Sequence, residues 1–144
     1  MSNPALYILM RNDMTSLTPG KAIAQGAHAA NLFSVRMNNL SNNFENLNPL
    51  KKVIDNFRTW EQSHNQPFGT TIVLGCNLET LKLIVNDVQR YYSDYTNSDI
   101  VIDPTYPLND GEVVHHIDII TCGYVFLDRD EINSHEIFKH AKLY

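Results

Sequence analysis

The chain has 144 residues, of which 43% are hydrophobic and 19% charged, and this composition predicts one globular domain over 1–144. It excludes a disordered tail protein, and no apolar run approaches the roughly 20 residues needed to span a bilayer. Because two cysteines are too few for a disulfide framework and the first residues do not resemble a secretion signal, we expect a cytoplasmic protein with no membrane partner.

Charge is unevenly distributed along the chain. Six basic and four acidic residues lie within 1–68, whereas five basic and twelve acidic residues lie within 69–144, and the net charge is −5. An anionic ligand would therefore be attracted to a surface built by the first half. The alternative is an ordinary acidic protein surface with no anionic ligand.

Apolar spacing and capping residues predict strands and helices that alternate along the chain. Short apolar or β-branched runs predict strands over 5–10, 70–75, 99–102 and 113–127. Helical spacing, together with capping residues at the helix starts, predicts helices over 19–37, 49–63, 77–92 and 130–140. This alternation indicates an α/β layered sandwich, in which a mixed but mostly parallel sheet of about four strands carries helices on both faces.

Two segments between these elements are predicted to be loops. Residues 38–48 are rich in asparagine and show no hydrophobic period, which is typical of a loop insert. Residues 103–111 contain two prolines and one glycine. Asp103, at the start of the second loop, either has a functional role or opens a turn by bonding nearby backbone.

The first predicted helix carries a polar stripe. Lys21, Gln25 and His28 fall within about 60° of one another around the helix axis. Lys21 also lies in the first turn, where unpaired N–H groups and the helix dipole favour an anion. The stripe is therefore either a ligand-binding surface or the solvated face of an amphipathic helix.

A metal site would have to use the histidines of the last long strand. His115 and His116 face opposite sides of a strand, whereas His116 and Asp118 can reach the same ion. Two ligands make a poor zinc site, so we expect no bound metal and no cofactor. A metal-assisted hydrolase that uses His116 and Asp118 stays open as a third hypothesis.

The end of the first predicted strand and the head of the first predicted helix carry a specific set of residues. These are Arg11, Asp13, Gly20, Lys21, Ala24, Gln25, His28 and Ala29. They resemble the signature of the archaeal and eukaryotic type of peptidyl-tRNA hydrolase, which has a strand ending in Arg-x-Asp-Leu, followed by Gly-Lys-x-Ala-Ala-Gln-x-x-His-Ala at the head of its first helix. The closing residues 139–144 also resemble the family's final helix and its Lys-Leu-Tyr end.

The resemblance implies hydrolysis of the ester between a peptide and the 3′ end of a tRNA, which recycles tRNA for translation. In that family a lysine on the first helix and an aspartate after the third strand are the catalytic candidates, here Lys21 and Asp103. The family has a functional threonine four residues after the aspartate, but this chain has Pro107 there, and Thr105 is the nearest threonine.

Further residues of the resemblance are predicted to bind substrate. These are Arg11, Asp13, Gln25 and His28. Asp13 follows the first strand, and open α/β sheets bind ligands at the carboxyl ends of their strands, where Asp103 is also expected. The resemblance also implies a tRNA partner and a possible homodimer.

A second hypothesis is a catalytically silent relative that binds tRNA or a protein. The altered segment after Asp103 and the acidic second half favour it.

Overall fold

The computed structural model describes residues 2–44 and 50–144. In this part of the chain, five strands and four helices follow one another in the order β1 Pro4–Arg11, α1 Pro19–Phe44, α2 Leu50–Glu61, β2 Thr71–Cys76, α3 Leu78–Tyr91, β3 Asn97–Asp110, β4 Val113–Asp128, α4 Ser134–Ile137 and β5 Lys142–Leu143. No helix in the described ranges has the length and apolar character needed to span a membrane.

All five strands belong to one sheet, with the spatial order β3-β4-β1-β2-β5. The prediction of an α/β fold built on a mixed sheet is confirmed, but the sheet has five strands and only β1 and β2 pair in parallel. β3 does run in the same direction as β1. However, the β3–β4 hairpin places β4 between them, so both contacts of β4 are antiparallel. The prediction of a mostly parallel sheet was therefore wrong.

Helices cover both faces of the sheet, as predicted. Along β1, Leu6, Ile8 and Met10 pack on the side of α1 and α2, whereas Tyr7 and Leu9 pack on the side of α3. Because both faces of β1 are buried, its sequence is a continuous apolar run and does not alternate with polar residues.

The loop predicted over 38–48 is corrected, because its first seven residues continue α1. Leu40 packs against the core beneath this helix, and burial of that side chain favours helix over loop. Asn38 and Asn43 donate their side-chain amides to backbone carbonyl oxygens one turn earlier, at 2.8 and 2.9 Å. Tertiary packing and these bonds outweigh the weak helix propensity of asparagine. The rest of the predicted insert, 45–48, lies outside the described residues.

The loop predicted over 103–111 is also corrected, because β3 continues through it to Asp110 and pairs with β4. The chain reverses at Gly111, whose φ of 63° favours glycine. β3 lies at the edge of the sheet, where proline is tolerated because one side of the strand makes no ladder hydrogen bonds. The prolines that indicated a loop are therefore compatible with this strand.

The closing helix predicted over 130–140 is reduced to α4, which has four residues. Asn133 caps it by accepting a hydrogen bond from the Glu136 N–H at 3.3 Å. The chain then turns and adds β5 to the edge of β2. The other predicted elements agree with the structure within about three residues, apart from the end of β3.

Candidate functional site

Two irregularities in the β3–β4 pairing affect which side chains face α1. On β4, Thr121 has no partner in the strand register, and further along the hairpin Pro104 and Thr105 of β3 lie opposite the single residue Asp118 of β4. An extra residue in a strand reverses which face the following side chains occupy. Asp103 faces α1 by regular alternation with Val101. The first irregularity brings Thr121 to the same side, and the second lets Tyr106, three residues beyond Asp103, pack there as well.

A buried chain of hydrogen bonds connects β4, α1 and β3. The Thr121 hydroxyl donates to Gln25 Oε1 at 2.6 Å, and Gln25 Nε2 donates to Asp103 Oδ2 at 2.7 Å. Thr121, Gln25 and Asp103 are 0%, 3% and 8% exposed. Since the hydroxyl occupies the amide oxygen, the amide nitrogen is directed at the carboxylate, and the Gln25 side chain is held in one orientation.

The other oxygen of Asp103 bonds its own strand. Oδ1 accepts the Thr105 N–H at 2.9 Å and lies 3.4 Å from the Thr105 hydroxyl. The predicted local turn contact of Asp103 is therefore present together with the contact to Gln25. An ionised carboxylate offers about four acceptor positions, and these three donors leave room for about one more.

The pKa of Asp103 is set by opposing effects. Burial acts to raise it, but the hydrogen bonds from Gln25 and Thr105 and the nearby charge of His28 outweigh burial and hold the pKa below the ordinary 3.8. Asp103 is therefore an anion at neutral pH. His28 itself is exposed and lies on the same stripe of α1 as Gln25.

Lys21 approaches the same segment of β3 from the first turn of α1. Its ammonium group donates to the Pro107 carbonyl oxygen at 3.0 Å and lies 5.1 Å from the centroid of the Tyr106 ring. Tyr106 is fully buried, and its hydroxyl lies 3.1 Å from the Ser16 hydroxyl. Lys21 therefore contacts β3 three to four residues beyond Asp103 and does not bond the carboxylate itself.

Lys21 differs from most basic residues of the first half in its partners. Within residues 2–44 and 50–144, four of them form ion pairs with carboxylates: Arg11–Asp13, Arg36–Asp99, Lys51–Asp55 and Lys52–Glu131. The partners of Lys21 within the described chain are uncharged. Two of the neutralising carboxylates come from the acidic second half, so the fold removes much of the charge difference seen along the sequence.

Arg11 and Asp13 belong to the opposite face of the sheet. Arg11 Nε lies 2.8 Å from Asp13 Oδ1, and Arg11 Nη1 donates to the Ile120 carbonyl oxygen at 3.0 Å. Asp13 Oδ2 accepts the N–H of Leu78, the first residue of α3, at 3.2 Å. The hydrogen bond from Arg11 holds the pKa of Asp13 below its ordinary value. These two residues join β1 to the start of α3, and their role in substrate binding stays a prediction.

Two residues of the site, Thr121 and Tyr106, were missed by the sequence analysis. Thr121 lies in an otherwise apolar stretch of β4, and a buried hydroxyl in such a stretch needs a polar partner. That signal marks Thr121 as unusual but does not identify Gln25 as its partner. Tyr106 was assigned to a loop, where nothing indicated its burial.

An open groove of about 730 Å³ runs along the other side of the first turns of α1. It is lined mainly by apolar side chains, among them Met10, Ile23 and Val73, and by Tyr144. None of the seven predicted site residues lines this groove.

The two histidines considered for a metal site lie on opposite faces of the β3–β4 ribbon, and His115 lies 3.8 Å from Asp110, from Nε2 to Oδ2. His116 pairs with Pro107, on the face of the β3–β4 ribbon opposite that of Tyr106 and its partner Ile117. Within 2–44 and 50–144, no three His, Cys, Asp or Glu side chains are grouped closely enough to hold a metal ion.

No protein-family model matches this chain, and a search of curated proteins found no significant match. The functional assignment therefore depends on the chemistry of the site itself and on the motifs of the sequence.

Proposed function

We propose that this protein is a peptidyl-tRNA hydrolase of the cytoplasm, which cleaves the ester between a peptide and the 3′ end of tRNA. The observation that supports this most directly is the 2.7 Å hydrogen bond from Gln25 to Asp103. It brings the carboxylate of β3 against the motif-bearing face of α1, one helical turn from Lys21.

The reaction adds the oxygen of a water molecule to the ester carbonyl carbon and breaks the bond from that carbon to the tRNA 3′ oxygen. One proton of the water ends on the 3′ oxygen, the other is released to solvent, and the peptide leaves as a carboxylate. Such a reaction needs an oriented water and a donor for the oxyanion that develops on the carbonyl oxygen.

Asp103 is proposed to orient the water through its remaining acceptor position. Its lowered pKa makes it a weak base at neutral pH, because efficient general bases have pKa values near the working pH. Orientation by a permanent anion therefore fits Asp103 better than full removal of a proton. Thr105, 3.4 Å from the carboxylate, is the hydroxyl proposed to contact the same water.

Lys21 is proposed to stabilise the oxyanion. Because its partners in the described part of the chain are a carbonyl oxygen and an aromatic ring, no carboxylate there cancels its positive charge. Gln25 holds Asp103, and His28 lies on the same stripe of α1. All of these groups are side chains of this chain, and the proposal includes no metal or cofactor.

The test is release of peptide from a defined peptidyl-tRNA in the presence of a chelator. We expect wild type to be active and Lys21→Ala to lose at least about 100-fold in kcat/KM, the lower range for a positioned catalytic group. The matched control is Lys51→Ala, which removes an exposed lysine paired with Asp55. Equal loss in both variants, or a wild type that needs metal, would contradict the proposal.

The second candidate is a tRNA-binding relative without hydrolysis. One observation favours it: Pro107 occupies the position of the family threonine and has no side-chain hydroxyl, and its carbonyl oxygen binds Lys21. If wild type binds uncharged tRNA but releases no peptide, this second function is the correct one. Binding to tRNA should weaken with added salt in either case, because phosphate contacts release counterions.

A further inference from the structure

The end of the β3–β4 hairpin forms an exposed two-stranded arm, defined here as residues 106–117. Its face toward α1, the inner face, is given by three directly paired positions. These pairs are Tyr106 with Ile117, Leu108 with His115 and Asp110 with Val113. Tyr106 and Leu108 belong to the α1 side of the core, and the remaining inner-face side chains extend beyond it.

Four of the six inner-face side chains are apolar or aromatic, and the other two, His115 and Asp110, are exposed and lie 3.8 Å apart, from Nε2 to Oδ2. Val113 is 55% exposed and Ile117 is 37% exposed, although both are large hydrophobic residues. No lysine or arginine occurs anywhere between Arg90 and Arg129, whereas Asp110 and Glu112 lie at the tip of the arm. A surface of this kind repels phosphate and favours an apolar, uncharged ligand.

The inner face is also continuous with the candidate site. It begins at Tyr106, beneath the ammonium group of Lys21, and Asp103 precedes it on the same strand. Lys21 bonds the arm directly through the Pro107 carbonyl oxygen. A substrate whose ester lies between Lys21 and Asp103 would therefore have one of its two halves against the arm.

We propose that the inner face of the arm binds the peptide half of the substrate and selects apolar peptides, while the tRNA half is bound on another side of the protein. This inference depends on the proposed function. The apolar side chains and the acidic tip favour the peptide because the tRNA half is a polyanion.

The experiment uses two substrates that share one tRNA and differ only in their peptide, N-acetyl-Leu-Leu or N-acetyl-Ser-Ser. The Val113→Ser/Ile117→Ser variant should raise KM for the leucyl substrate about tenfold, the size expected for a lost apolar contact, with little change in kcat. KM for the seryl substrate should stay the same. The matched control is Val114→Ser, which makes the same change one residue away on the outer face, where Val114 is 53% exposed.

Four results would overturn this inference while leaving the proposed function intact. The first is an equal effect on both substrates, and the second is an equal effect of the Val114→Ser control. The third is weaker binding of uncharged tRNA by the inner-face variant, which would place the nucleic acid on the arm. The fourth is a selective effect of Ile23→Ser in place of the inner-face variant, which would place the peptide in the groove beside α1.

Sedimentation velocity tests the remaining occupant of the arm, a second copy of the chain. If wild type is a dimer that the inner-face variant converts to monomers, the arm is a subunit interface and the inference is wrong. If wild type hydrolyses neither substrate, the proposed function fails, and the peptide assignment fails with it.

Discussion

Asp13 and Asp103 both follow the apolar part of a strand and both have a lowered pKa, but the physical causes differ. Asp13 is hydrogen-bonded by the guanidinium group of Arg11, and this adjacent positive charge neutralises the carboxylate. Asp103 is bonded by the neutral Gln25 amide and by Thr105, so its charge is stabilised and remains available. The comparison shows that an anion can be held in place without neutralising it when the donors are dipoles.

The largest difference between the two carboxylates is expected in activity. Asp103→Asn should lower kcat/KM for peptidyl-tRNA by at least about 100-fold, because the neutral amide no longer orients water in the same way. Asp13→Asn should lower it less, and chiefly through KM, because Asp13 is predicted only to bind substrate and lies on the opposite face of the sheet from Asp103. Steady-state hydrolysis of one substrate by both variants measures this, and similar losses would remove the functional distinction.

The next largest effect is expected at Thr121, which is linked to Asp103 through Gln25 and lies on the opposite face of the sheet from Asp13. Thr121→Val keeps the shape of the side chain but leaves the side-chain oxygen Oε1 of Gln25 buried without this donor. The loss should lower the free energy of unfolding by about 1–3 kcal/mol. Because the amide is then free to rotate, kcat should also fall. Urea denaturation and kcat measurements test this, with Thr121→Ser as the variant that should restore both.

Acid should distinguish the wild type from Asp103→Asn. The pKa of Asp103 in the folded protein lies below the ordinary 3.8. Its contribution to stability is therefore fully present above about pH 4 and is lost as pH falls through the folded-state pKa. Unfolding measured from pH 5 down to pH 2 should show a shallower loss of stability in Asp103→Asn. Hydrolysis by wild type should show no step from Asp103 between pH 5 and 8.

The smallest effect is expected for the stability contribution of the ion pair itself. The Asp13 side chain is 34% exposed, and exposed pairs contribute at most about 1 kcal/mol. Asp13→Asn should therefore lower the free energy of unfolding by about 1 kcal/mol or less, and 1 M salt should reduce the difference. A loss as large as that of Thr121→Val would show that the joint between β1 and α3 is as critical as the buried network.

The sequence allowed the elements with local signals to be predicted. The apolar run of β1 and the Asn77 cap of α3, which accepts the Thr80 N–H at 2.8 Å, are examples. The sequence-based prediction ended β3 at residue 102, because prolines such as Pro104 and Pro107 locally favour turns. Their tolerance in a strand depends on β3 being at the sheet edge, which is a property of the whole fold.

Within the candidate site, the stripe on α1 was predictable from helical spacing, but its partners were not. The contact between Gln25 and Asp103 spans 78 positions of the chain, and the bond that Thr121 donates to Gln25 depends on the register shift at Thr121. A shift of one residue reverses every later side chain, and no local pattern at Thr121 indicates it. Motif similarity identified Asp103 as a candidate, while only the three-dimensional arrangement shows what holds it.

The position of β1 in the sheet has a consequence for synthesis on the ribosome. β1 is synthesised before both of its neighbours, β2 and β4, and β4 begins only at Val113. Until that segment leaves the exit tunnel, one long edge of β1 has no partner, and its apolar residues are incompletely covered. Pairing across so many residues is slow, and exposed strand edges promote aggregation. Nascent chains that stop before Val113 are therefore expected to need chaperones to remain in solution.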